Sequence, residues 1–204
     1  INGAIGGAAN RLAVSESLLV TANSEGISIY HIENPGPPLK VVTASGTPAV
    51  DVVVSGRYAY VAWGSNGLLI VDIANPTQAR IVGERSIANG SANSIVVTGQ
   101  YAFVGAFTFG LHIIDVQNPF APVTIAVVPS QASTIGVFID GGIAYVADSR
   151  GGIRLVDVTD PTNPRSIGAL PVAGSGSGVA VDAFFMYAAD SPGRVLITRA
   201  PCRP

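Results

Sequence analysis

A short motif recurs along this chain at an almost constant interval, and a regular repeat limits the available folds more than any single residue does. Tyr58-Ala-Tyr-Val-Ala62 is answered by Tyr101-Ala-Phe-Val-Gly105, Ile143-Ala-Tyr-Val-Ala147 and Phe185-Met-Tyr-Ala-Ala189, with Ser17-Leu-Leu-Val-Thr21 as a diverged first copy. The central residues Leu19, Tyr60, Phe103, Tyr145 and Tyr187 stand 41, 43, 42 and 42 positions apart, so five copies fill residues 1–204 as a single domain. Seven residues after each centre come Gly26, Gly67, Gly110, Gly152 and, diverged, Arg194. Twelve residues after each centre come His31, Asp72, Asp115, Asp157 and Arg199. Each copy therefore reads as strand, Gly-containing tight turn, strand, which is a hairpin signal. Pro35, Pro76, Pro119, Pro161 and Pro201 follow, and because Pro cannot donate to a sheet ladder they should end the third strand.

A further apolar run precedes each hairpin and, in four copies, another follows the Pro. Four strands per unit at this period predict an all-β fold, a five-bladed β-propeller with four-stranded antiparallel blades. Leu68-Leu-Ile-Val71 is apolar at consecutive positions, where a strand with one wet face would alternate. Blades stacked face against face account for that run, and for a chain that is 48% hydrophobic and only 12% charged. The fifth copy runs into Arg199-Ala-Pro-Cys-Arg-Pro204 without an outer strand, so Ile1–Ile5 is expected to complete the last blade and close the ring. With Ile at position 1 and no basic-then-apolar leader, the sequence reads as a processed protein or a segment of a longer one.

Charge narrows the function classes. Eleven Lys and Arg against 13 Asp and Glu give a net charge of −2, which offers no general electrostatic attraction for nucleic acid. The apolar stretches are strand-sized, well short of the ~20 residues a membrane-spanning helix needs. The lone Cys202 can form no internal disulfide.

Leu68-Leu-Ile-Val-Asp72, Leu111-His-Ile-Ile-Asp115 and Ile153-Arg-Leu-Val-Asp157, each followed by Asn-Pro or Asp-Pro, resemble the LVIVD repeat. The resemblance covers essentially the whole chain, with His31 and Arg199 departing from the acid in the first and last copies. It implies a β-propeller of the kind found in secreted or surface proteins of bacteria and archaea. A location outside the cytoplasm, extracellular, cell-surface or periplasmic, is accordingly expected. The family carries no common reaction, and no cofactor is expected.

Three sets of residues are candidates for function. Asp72, Asp115 and Asp157 each end a buried strand just before a turn, where a carboxylate caps backbone N–H groups as an Asx turn, so their expected role is structural. Nine residues before the centres, on the innermost strand, stand Asn10, Asp51, Ser94, Gly136 and Gly178; Asn10, Asp51 and Ser94 are expected to line the central channel. Asp51 is the single acid of that ring, whereas glycoside hydrolysis needs two carboxylates roughly 5–10 Å apart. His112 falls at a variable position with Ser28, Leu69, Arg154 and Leu196, and no spaced partner makes it a metal ligand. Gly174-Ser-Gly-Ser-Gly178 departs from the phosphate-loop pattern and reads as a flexible connection between blades. Asn89-Gly-Ser91 matches a glycosylation acceptor.

The third set breaks the repeat. Four hairpin turns are polar or Gly-rich, but the third is Phe107-Thr-Phe-Gly110, with Trp63 of the preceding copy expected beside it. Exposed aromatics on a turn are candidate partner anchors. The expected function is a non-catalytic protein-binding or scaffolding propeller, part of a larger assembly, working through Trp63, Phe107 and Phe109. The alternatives are a hydrolase acting at the channel with Asp51, and a carbohydrate-binding lectin-like propeller.

Overall fold

A computed structural model of the chain describes residues 9–33, 37–44, 47–88, 90–130, 132–150, 152–172, 175–182, 184–191 and 193–199. These residues build five separate antiparallel sheets, taken here as blades 1 to 5. Blade 1 consists of β1 (Ala9–Ser15), β2 (Leu18–Asn23), β3 (Gly26–His31) and β4 (Lys40–Val42). Blade 2 holds β5 (Asp51–Ser55), β6 (Tyr58–Ala62), β7 (Leu68–Asp72) and β8 (Arg80–Arg85). In blade 3 these are β9 (Ala92–Thr98), β10 (Tyr101–Ala106), β11 (Gly110–Asp115) and β12 (Val123–Val128). Blade 4 contains β13 (Thr134–Asp140), β14 (Ile143–Asp148), β15 (Gly152–Asp157) and β16 (Arg165–Leu170). Blade 5 comprises three described strands, β17 (Ser175–Val181), β18 (Phe185–Ser191) and β19 (Arg194–Arg199). Within each blade, consecutive strands pair as neighbours, and the inner strands β1, β5, β9, β13 and β17 lie beside one another in chain order.

Packing follows from the uninterrupted apolar strands. Every residue of β7 is buried, since one face meets blade 1 and the other meets blade 3. Four apolar cores result, one between each successive pair of blades. In the last three, an aromatic centre of one blade sits against small residues of the next: Tyr60 with Ala102 and Val104, then Phe103 with Ala144 and Val146, then Tyr145 with Ala188. Among the described residues no fifth core joins blade 5 to blade 1, and the closing strand expected at Ile1–Ile5 lies outside them, as do Asn89 and Cys202.

The recurrent glycines have a steric cause. Gly26, Gly67, Gly110 and Gly152 open the third strand of blades 1 to 4 with φ of 135°, 80°, 81° and 75°. A Cβ there would lie 2.1, 2.3, 2.1 and 2.1 Å from the carbonyls of Val42, Arg85, Val128 and Leu170, at the ends of the outer strands. Blade 5 carries Arg194 at this position, opposite Asp190 as Gly152 is opposite Asp148, and its described sheet has no outer strand to collide with.

The strands and their connections depart from the sequence reading in blades 1 and 5. In blade 1 the hairpin closes through Ser24 and Glu25 alone, with Asn23 paired to Gly26, whereas three residues intervene between Asp148 and Gly152. This shorter turn moves the alignment by one, so Val20 rather than Leu19 packs on the next blade in the place of Tyr60. Residues 175–178, read as a flexible connection, instead form the start of β17, with a bulge between Gly176 and Gly178.

Candidate functional site

One end of the blades carries the hairpins joining second and third strands, and its chemistry is set by two register positions. The first, the residue opposite the one at the head of the third strand, is Asn23, Trp63, Ala106, Asp148 and Asp190 in blades 1 to 5. The second, one residue into the third strand beyond its pairing with the turn, is Ser28, Leu69, His112, Arg154 and Leu196. The two positions are used together. In blade 1 the Asn23 amide donates to Ser28 Oγ at 3.0 Å. In blade 2 the pair is apolar, Trp63 and Leu69, both in the core shared with blade 1. In blade 4 Arg154 Nε donates to Asp148 at 2.5 Å.

Trp63 is fully buried, and its indole N–H donates to the Thr47 carbonyl at 2.7 Å while Thr47 Oγ1 donates to the Trp63 carbonyl at 3.1 Å. It therefore belongs to the core, which corrects the expectation that it presents a binding surface. Its position faces the preceding blade, and an indole that can donate its one N–H to a backbone carbonyl loses nothing polar on burial. Phe107 and Phe109 are different, standing 49% and 38% exposed on a 3-10 turn, Phe107–Phe109. The Phe107 N–H donates to Ser91 O at 3.0 Å, and the neighbouring Ala92 N–H donates to Gly64 O at 2.8 Å, so the tip is tied to the start of β9, which is itself bonded to blade 2. Phe109 leans over Gly90, where a Cβ would meet its ring at 3.3 Å.

Beneath the tip, half-buried His112 hydrogen-bonds to the Phe109 backbone. Burial and the nearby Arg85 charge push its pKa below the usual histidine range, so the ring stays neutral there at pH 7. The Arg85 guanidinium in turn donates to Thr124 Oγ1 at 2.9 Å. Arg85 also borders a cleft of about 510 Å³ lined by Ser65, Asn66 and Glu84 among others. The face thus joins a polar cleft on blade 2 to an aromatic tip on blade 3. His112 is the supporting residue missed in the sequence, where its lack of a spaced partner left it without a role.

The inner strands give less. Asp51 is half-buried; its Oδ2 accepts the Ile95 N–H of blade 3 at 3.0 Å and its Oδ1 the Val52 N–H at 2.9 Å. Burial raises its pKa above the ordinary carboxylate range, opposed by those two N–H groups and the Arg11 charge. Arg11, opposite Ala22, holds the register place that Asp51 holds opposite Ala62; Asn10 sits in the adjoining bulge, exposed, with its amide donating to Ala49 O at 2.9 Å. Asn10 is thus displaced from the expected ring, again through the one-residue shift in blade 1. Ser94 is in register but buried, its hydroxyl without a partner. Asp51 consequently serves as a backbone bridge between neighbouring inner strands. Asp51→Asn, which can accept through one oxygen only, should cost about 1–2 kcal/mol in urea unfolding; an unchanged midpoint would show that the bridge carries no stability.

The repeated acids behave as turn caps. Asp72, Asp115 and Asp157 accept the N–H of Ala74, Gln117 and Thr159 at 3.1, 2.8 and 2.9 Å. The Arg57 guanidinium holds Asp72 below the usual carboxylate range, and the Thr159 side chain and backbone do the same for Asp157. Among the described residues no group of three or more His, Cys, Asp or Glu could hold a metal.

Five antiparallel sheets with facing apolar cores and adjacent inner strands define a repeat protein of the β-propeller class. The chain belongs to the LVIVD-repeat family, whose model matches residues 46–84, 89–128 and 132–170, that is, blades 2, 3 and 4. Among solved structures, it is similar to the computationally designed Ika8 protein, with a TM-score of 0.77 at 11% identity over 94% of this chain and 58% of that one. A chain of the Mitotic Checkpoint Complex gives 0.77 at 10% identity over 92% of this chain and 62% of that one. The β-propeller domain of Cps50 (Swd1) from Myceliophteria thermophila gives 0.67 at 16% identity, over 95% and 73%. The chain therefore spans less than two thirds of the first two. No curated protein matches the sequence.

Proposed function

We propose that this protein is a non-catalytic binding or scaffolding propeller that works outside the cytoplasm and engages a protein partner through the hairpin end of blades 2 and 3. The observation that carries the reading is the pair Phe107 and Phe109, both exposed on a tip held by a backbone bond to Ser91 and by His112. Aromatic side chains on a rigid support lose little conformational freedom when a partner covers them, which is why they dominate binding hot spots. That one similar chain sits in a Mitotic Checkpoint Complex accords with a role in assemblies. The hydrolase alternative has less support, because both Asp51 oxygens already accept backbone N–H groups.

Phe107→Ser with Phe109→Ser should leave the thermal midpoint within about 2 °C, since exposed substitutions change stability by roughly 0.5 kcal/mol or less. The same variant should lose the proteins that co-purify with the wild type from its native source, read by mass spectrometry. Retention of every co-purifying protein by a folded variant would overturn the reading.

A further inference from the structure

Blade 5 has an apolar face turned away from blade 4. Pairing sets Tyr187 opposite Ile197 and Ala189 opposite Val195 on that side, while Met186 and Ala188 point into the core shared with blade 4. In the preceding blades the matching pairs, Tyr60 with Ile70 and Phe103 with Ile113, are at most 6% exposed, because the next blade lies on them. On blade 5 the equivalent side is open, with Phe185 42%, Val195 63% and Ile197 58% exposed. Among the described residues of blade 1, Leu12 and Val14 of the inner strand, on the side away from blade 2, are likewise 64% and 60% exposed, while Thr21, Ser28 and Tyr30 farther out on that side are buried.

We propose that this face of blade 5 is the seat of a further LVIVD-type blade, which presents the same small-residue strand that Ala102 and Val104, or Ala144 and Val146, present to the blades before them. The register dictates the occupant. An aromatic opposite an Ile or Leu recurs on three earlier faces, and each is met by small or slender side chains at alternate positions of one strand: Ala102 and Val104, Ala144 and Val146, then Met186 and Ala188. The arc of five blades also matches only 58%, 62% and 73% of the longer chains it overlays, while using more than nine tenths of itself.

The test compares the 204-residue chain with one in which a copy of residues 116–170, the outer strand β12 and the whole blade-4 repeat, follows Arg199, the register equivalent of Asp115. In the unextended chain Val195→Ser with Ile197→Ser should move the thermal midpoint by no more than about 2 °C and lower the fluorescence of a bound hydrophobic dye, whereas Ile113→Ser should lower it by roughly 5–15 °C or prevent folding. In the extended chain dye binding should fall, and the Val195 and Ile197 substitutions should become damaging, by roughly 5 °C or more. Three results would overturn the proposal. One is equal damage from the two sets of substitutions in the unextended chain, which means the face is already covered. Another is a dimer in sedimentation velocity that the Val195 and Ile197 substitutions dissolve, which makes the occupant a second copy. The last is an extended chain whose dye binding is unchanged.

Discussion

Trp63→Ala should lower stability by about 3–5 kcal/mol, among the largest losses a single side chain of this protein can produce. The indole is fully enclosed between blades 1 and 2, against Val20, Ile27 and Leu69, so its removal leaves a cavity that two sheets cannot close without sliding past each other. The Thr47 carbonyl also loses its donor, leaving a backbone acceptor unpaired beside the core. At roughly 2–4 °C per kcal/mol for a chain of this size, the thermal midpoint should fall by about 6–20 °C. Trp63→Phe separates the two contributions: it keeps most of the packing and forfeits only the hydrogen bond, for a loss of about 1–3 kcal/mol. Urea unfolding followed by circular dichroism measures both. A normal midpoint in Trp63→Ala would mean that the indole lies at the surface and would reinstate it as a binding residue.

The second large effect is expected at the same register position two blades later. Asp148 is 2% exposed and accepts hydrogen bonds from Thr134 Oγ1 at 3.0 Å, Ser130 Oγ at 3.1 Å and Arg154 Nε at 2.5 Å. Arg154 also donates to Pro129 O at 2.9 Å, and its remaining Nη2 is already buried without a partner. Asp148→Ala therefore leaves a largely buried guanidinium without its counter-charge, and should cost about 3–5 kcal/mol. Removing both charges as Asp148→Ala with Arg154→Leu should restore much of the loss, because Leu69 fills the Arg154 position in blade 2 without a charge to satisfy. Asp72→Ala is the control: its partner Arg57 is 57% exposed, and the ion pair is worth no more than about 1 kcal/mol. Equal losses from Asp148→Ala and Asp72→Ala would show that burial does not set the cost.

These two sites mark where reading the sequence succeeds and where it stops. The spacing of the Tyr, Gly and Asp landmarks locates the blades, because each landmark answers a local need: an aromatic for the next blade, a glycine under the outer strand, an acid for the turn. The Asx turns at Asp72, Asp115 and Asp157 are legible for the same reason, since a turn acts within three residues of chain. Trp63 and Asp148 are not, because the direction in which each points depends on the blade in front. The position alone admits an indole, an amide or a carboxylate. The trace left in the sequence is the coupled choice six residues later, Leu69 with Trp63 and Arg154 with Asp148. Counting from Leu19 misplaces Asn10 and Val20 because the turn through Ser24 and Glu25 saves one residue, and no periodicity reveals a loop that is shorter by one.

The glycines that open the third strands also decide where this architecture can vary. A methyl group at Gly67 or Gly110 would strike a carbonyl of the outer strand and leave the interblade cores untouched, so its damage would be confined to the rim of one blade. Arg194 shows the converse, a long cationic side chain accommodated where the described sheet lacks a fourth strand. One residue at the head of the third strand thus works as a licence for the outer strand. The rim of each blade is set by a position that takes no part in stacking one sheet on the next.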